Sequence, residues 1–147
     1  MALTEPGRYA TKMHVDALPE AERELVLAAT AARERARAPY SRFRVGAAAR
    51  GASGRVHPGF NVESAAYPQC CCAERVALYA ALANGEDEVV ALAVITDGGA
   101  APCGGCRQVL FEYLPDAPLL IAGTDGQVAR TTARALLPGG FDGAALR

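Results

Sequence analysis

At 147 residues, 51% hydrophobic and 21% charged, the chain has the size and balance of one packed domain and lies far from the composition of a disordered segment. A formal net charge of -1, with the basic residues dispersed, argues against a nucleic-acid partner. No run approaches the roughly 18 apolar residues of a membrane span and no basic-then-apolar leader opens the chain, so no membrane partner and a cytoplasmic location are expected.

Residues 1–18 carry no clear period and are expected to form a poorly ordered lead-in to a single domain over 19–147. From Pro19 to Ala38 the chain is rich in strong helix formers, with Leu25, Ala28, Ala29 and Ala32 on one stripe, and Pro39 is expected to end the helix. Arg33, Arg35 and Arg37 then read as a solvated helix face. Phe43 to Arg50 and Arg55 to Asn61 read as strands joined by Gly51-Ala52-Ser53-Gly54, a hairpin. A second helix is expected from about Cys71 to Ala83, stopped by Asn84-Gly85. The apolar run in Glu88 to Thr96 suggests a central strand buried on both faces. Pro102 can open a third helix, with Val109, Leu110 and Tyr113 on its packed side. Leu119 to Ala122 and Gln127 to Thr131 flank Asp125-Gly126, a hairpin signal, and a short helix near Thr132 to Leu137 closes the domain. Interleaved helices and strands imply an α/β fold, a mixed sheet of about five strands covered on both faces.

Five cysteines, three of them adjacent at Cys70, Cys71 and Cys72, suit a disulfide framework badly. Cys103-Gly104-Gly105-Cys106 places two thiols at i and i+3 where a helix begins, so both sulfurs can meet one ion. Alone, the pair could equally be a redox dithiol or two buried small residues. Cys72-Ala73-Glu74 stands at another predicted helix start. If both helix N-termini face one spot, two positive dipole ends converge on the thiolates, and three ligands leave zinc its fourth position for water. Glu74, two residues from Cys72, then reaches past the metal to exchange a proton; its plain alternative is a first-turn acid that complements the helix dipole.

Cys-x-Glu followed by Pro-Cys-x-x-Cys is the all-cysteine form of the zinc-deaminase signature. With Asn61-Val62-Glu63, Tyr67-Pro68, Cys72-Ala73-Glu74-Arg75, Pro102 to Val109, Pro39-Tyr40-Ser41, Phe43, Val45-Gly46-Ala47, Leu136-Leu137-Pro138 and Phe141, the chain resembles the small homotetrameric cytidine deaminases from about residue 20 to 141. The resemblance implies a three-layer α/β/α fold and hydrolytic loss of ammonia at C4 of cytidine and 2'-deoxycytidine, a step in pyrimidine salvage. It implies Zn2+ on Cys72, Cys103 and Cys106, proton transfer by Glu74, and donation by Arg75 to the sulfurs. It also implies nucleoside contacts from Phe43, Asn61, Glu63 and Ala73, and from Phe141 across a subunit interface in a homotetramer. Phe43 and Phe141 could instead be ordinary core aromatics. Ser64, Ala66 and Gln69-Cys70-Cys71 depart from the commoner family pattern at the entrance to the site, which leaves open a modified or antibiotic aminopyrimidine nucleoside. A non-catalytic zinc module would need Cys70 or Cys71 as a fourth ligand. His14 and His57 lie outside every matching motif.

Overall fold

The structure is a computed structural model and describes residues 10–147. Its centre is strand β4 (Val89–Thr96), an unbroken apolar run that can only be satisfied by cover on both faces. Strands β1 (Thr11–His14), β2 (Gly46–Gly51), β3 (Val56–Phe60), β5 (Leu119–Gly123) and β6 (Gln127–Thr131) complete one sheet in the order β1-β6-β5-β4-β2-β3. Only β4 and β5 run parallel; every other pair is antiparallel. The sheet thus has six strands where five were expected. The addition is β1, which lies inside the expected lead-in. Thr11 to His14 is mostly polar and exposed, with only Met13 packing on the core, so a segment this short carries no strand period and is strand through its pairing with β6. Residues 1–9 of the lead-in lie outside the described residues, while Val15–Ala17 form a single 3-10 turn and Leu18 is buried in the core.

Helix α1 (Glu20–Arg33) covers one face, where Leu25, Val26 and Ala29 pack with Ala48, Ala93, Ile95 and Leu120. Helices α2 (Ala73–Ala83), α3 (Gly104–Tyr113) and α4 (Ala133–Leu136) cover the other, where Ala77, Leu78, Leu110 and Leu136 meet Ala47, Leu92, Val94 and Ile121. Alternate residues of β2 and β4 therefore supply two separate cores, and the layers are α/β/α as expected.

Two glycines set how close the helices lie. A Cβ at Gly46 would sit 2.0 Å from the Ala29 carbonyl of α1, and one at Gly59 would sit 2.4 Å from the Ala77 amide of α2. Both strands carry glycine where a helix backbone presses on the sheet.

Helix α1 stops at Arg33, not at Pro39. The chain then turns so that Arg37 pairs its backbone with Asn61 and Glu63, and this tertiary bond outweighs the helix propensity of the alanines. Arg33, Arg35 and Arg37 accordingly share no helix face: Arg33 pairs with Asp97, and Arg35 lies over the Phe60 ring. In α3 the buried residues are Cys106, Leu110 and Phe111, while Tyr113 is exposed, so the packed side is rotated from the expected one.

Candidate metal and catalytic site

Cys72 and Cys103 occupy the N-cap positions of α2 and α3, where serine, threonine or aspartate would ordinarily bond the free amides of the first turn. Neither cysteine makes a side-chain cap bond. Both sulfurs point instead at one another, 3.9 Å apart, and Cys106 from the first turn of α3 joins them, all three within 4.8 Å. The two helix N-termini thus converge on a sulfur cluster that is negative when ionised.

The cluster fits zinc. Tetrahedral Zn–S bonds of about 2.3 Å require sulfurs roughly 3.8 Å apart, close to the separation of Cys72 and Cys103. Three soft donors suit this ion, and no other described histidine, cysteine or acid completes the set. Cys70, one candidate for closing the site, is engaged elsewhere: its sulfur accepts from the Ser64 amide at 3.3 Å.

The surroundings favour thiolate at Cys72. The Cys72 thiol is pulled down to about 5, first by its hydrogen bond with Cys106 and further by Arg75, which outweigh burial. Cys106, giving that bond and fully buried, is pushed up. Arg75 Nη2 reaches Cys72 Sγ at 3.8 Å and the Cys70 carbonyl at 3.5 Å, while its buried Nε finds no partner.

Glu74 is 4% exposed, and burial pushes its carboxyl up to about 7, with the Cys72 charge adding to the rise. It lines a cavity of about 530 Å3 together with Cys72 and Cys103. A carboxyl so placed can both take and give a proton near neutrality.

The far wall of the cavity is built by Phe43, Asn61 and Glu63. Asn61 accepts from the Val45 amide at 2.9 Å and donates to the Phe43 carbonyl at 2.8 Å. The Glu63 carboxylate accepts from the Tyr40 and Ser41 amides at 2.8 and 3.2 Å and from the Ser41 hydroxyl, which holds its pKa below the usual value. Both side chains therefore anchor the turn that carries Phe43, besides facing the cavity.

The structure brings Cys72, Glu74, Cys103 and Cys106 together, with Phe43, Asn61 and Glu63 on the same cavity and Arg75 behind the sulfurs. Two expected contacts are not brought to it. Ala73 is wholly buried because the first turn of α2 presses it onto the sheet beside Gly59. Phe141 is 56% exposed on the C-terminal segment, where Gln108 bonds its carbonyl at 2.8 Å, and it does not line the cavity of its own chain. Tyr40, Ser41, Tyr67 and Cys71 also border the cavity. The motif Pro39-Tyr40-Ser41 marked the segment, but the grip of Ser41 on Glu63 spans 22 residues and leaves no local signal.

Residues 19–118 match the family described as the cytidine and deoxycytidylate deaminase zinc-binding region. The cytidine deaminase of Sporosarcina psychrophila is 40% identical over 121 residues, 80% of this chain and 89% of that protein. That of Halalkalibacterium halodurans is 44% identical over 120 residues, 80% of this chain and 91% of that protein. The crystal structure of the cytidine deaminase from Burkholderia pseudomallei superposes with a TM-score of 0.77 at 47% identity, covering 80% of this chain and 97% of that one.

Proposed function

The chain belongs to the cytidine and deoxycytidylate deaminase family and is a zinc-dependent hydrolase of the cytidine deaminase kind; from that premise we propose how its residues divide the work. The observation that carries the assignment is the meeting of three sulfurs within 4.8 Å at the wall of a cavity that also holds the buried Glu74.

Cys72, Cys103 and Cys106 would hold zinc, which when bound would make a water acidic enough to ionise near neutral pH. Glu74 would take one proton from the attacking water and give it to ring N3 as the water oxygen bonds to C4. It would then take the remaining hydroxyl proton and give it to the exocyclic amine as the C4–N bond breaks, so that ammonia leaves and the C4 carbonyl of the uridine-type product forms. Its raised pKa, caused by burial, suits both directions of transfer. Three thiolates give the ion a net charge of about -1. Arg75 withdraws part of that charge through its contact with Cys72.

Asn61 and Glu63 bind the sugar hydroxyls, and Phe43 packs on the base. The amide and carboxylate at this wall favour an unphosphorylated sugar, as in cytidine and 2'-deoxycytidine. Phe141 serves the cavity of a neighbouring subunit, which accounts for its distance from its own. Tyr79 and Tyr113, both exposed on the α2–α3 layer, provide apolar surface for a homotetramer. Five unpaired cysteines suit a reducing, cytoplasmic setting and a role in pyrimidine salvage. No described helix is long and apolar enough to cross a membrane.

Ammonia release from cytidine, 2'-deoxycytidine and CMP, with and without a zinc chelator, tests the reading. Turnover of both nucleosides, weak turnover of CMP and abolition by chelation are expected. Absence of cytidine turnover by the zinc-loaded protein would overturn it. Light scattering tests the tetramer.

A further inference from the structure

Each sulfur of the cluster has a different hold on the fold. Cys106 lies within α3 and is fully buried, so the helix fixes it. Cys72 is gripped by Arg75. Cys103 has neither advantage. It is exposed, it precedes the helix, and among the described residues its side chain hydrogen-bonds to the Cys72 sulfur alone.

The peptide that leads into Cys103 is nevertheless pinned. Arg107 Nε donates to the Pro102 carbonyl at 2.8 Å, and Arg107 Nη1 donates to the Leu136 carbonyl at 3.3 Å. The Pro102 oxygen shares one rigid plane with the Cys103 nitrogen and Cα. Fixing that oxygen therefore restrains the peptide plane from which the Cys103 side chain leaves the backbone, while the first turn of the helix that follows limits the remaining rotation about its N–Cα bond. The second bond ends on α4, at one of the carbonyls that a helix C-terminus leaves free, where a cation is favoured. The planar fork spans both acceptors; a lysine ammonium is a single compact donor and does not reproduce that span.

We infer that Arg107 is a positioning residue for the metal site: it aims Cys103 by tying the Pro102–Cys103 peptide to the end of α4. The inference rests on Cys103 being a zinc ligand. Arg107 lies outside the set that lines the cavity, so its effect reaches the nucleoside through the metal loop and not by contact.

The test uses the zinc-loaded full chain and follows zinc transfer to a chelating dye, together with the thiolate-to-cobalt absorption of the Co2+-substituted protein. Arg107→Ala is expected to release zinc about 10 to 100 times faster and to alter the cobalt band, with Arg107→Lys intermediate. Arg134→Ala serves as the control. Arg134 also belongs to α4, where it pairs with Asp116 and lies over Phe111, but it does not touch Pro102. Release and cobalt spectra within twofold of wild type in Arg107→Ala, or equal acceleration by Arg134→Ala, would overturn the role. Should Arg107→Ala fail to fold, Arg107→Lys decides, and a wild-type release rate there counts against it. Cys103→Ala separates the two layers: if it keeps one zinc at the wild-type rate, the ligand assignment fails, not the bond from Arg107.

Discussion

Arg75 folds back along α2 to place its Nη2 3.8 Å from the sulfur of Cys72, three residues before it. The i to i+3 spacing puts a fixed cation on the same helix face as the ligand it serves. Arg75→Ala should lower kcat/KM for cytidine by about 10 to 100 times. Zinc content should stay near one per chain. Metal analysis beside a spectrophotometric assay checks both, and unchanged kcat/KM would remove Arg75 from the mechanism.

Glu74 is a different case, because the role proposed for its carboxyl is proton transfer and not metal binding. Glu74→Ala should retain zinc and lose at least about 100 to 10,000 times in turnover. Glu74→Gln, which keeps the shape and removes the basicity, should do the same. Retained activity in either variant, at full zinc occupancy, would reassign Glu74 to simple helix capping.

Away from the site, Glu86 is enclosed by the β2–β3 turn. It accepts from the Ser53 hydroxyl at 2.5 Å and from Arg55 at 3.0 Å, and it meets His57 at 3.0 Å. The Ser53 bond, followed by His57, holds the carboxyl down to about 2 from an ordinary 4.5. A depressed carboxylate binds more protons unfolded than folded, so its stabilisation is complete above about 4.5 and is lost as pH falls toward 2. Thermal melts should show Tm falling across that interval. Glu86→Gln should melt lower at neutral pH and fall less steeply below pH 4.5. An identical slope in the two proteins would refute the linkage.

Gly59→Ala would drive a methyl to 2.4 Å from the Ala77 amide, a backbone atom that cannot rotate away. Helix α2 must then lift from the sheet, at a cost of about 1–3 kcal/mol in stability. Because Cys72 begins that helix, zinc retention should weaken as well. Chemical denaturation and a zinc assay on the same preparation read the two effects, and a variant as stable as wild type would show that the contact relaxes freely.

Much of this molecule was legible in its sequence because the deciding signals are local. Asp125-Gly126 marks the β5–β6 hairpin, the apolar run marks β4, and the two short cysteine motifs mark the candidate metal site. What escaped were features decided across the chain. Strand β1 exists through β6, and the end of α1 is set by the bond between Arg37 and Asn61. The phase of α3 differs for a local reason: Cys106 points inward, which leads one turn on to Leu110, whereas Val109 and Tyr113 belong to a neighbouring row. The hold of Ser41 on Glu63 joins two segments that only the fold brings together.

Strand β3 ends the sheet on the side opposite β1. It places Pro58 across from Ala48. The bonds from Asn61 to Val45 and from Gly51 to Arg55 put the hydrogen-bonded pairs of this hairpin one residue out of step with Ala48 and Pro58, so the missing donor of Pro58 faces the open margin. A foreign strand laid along β3 would find that row of donors broken at its middle. The β3 margin is therefore a poor template for sheet growth between molecules.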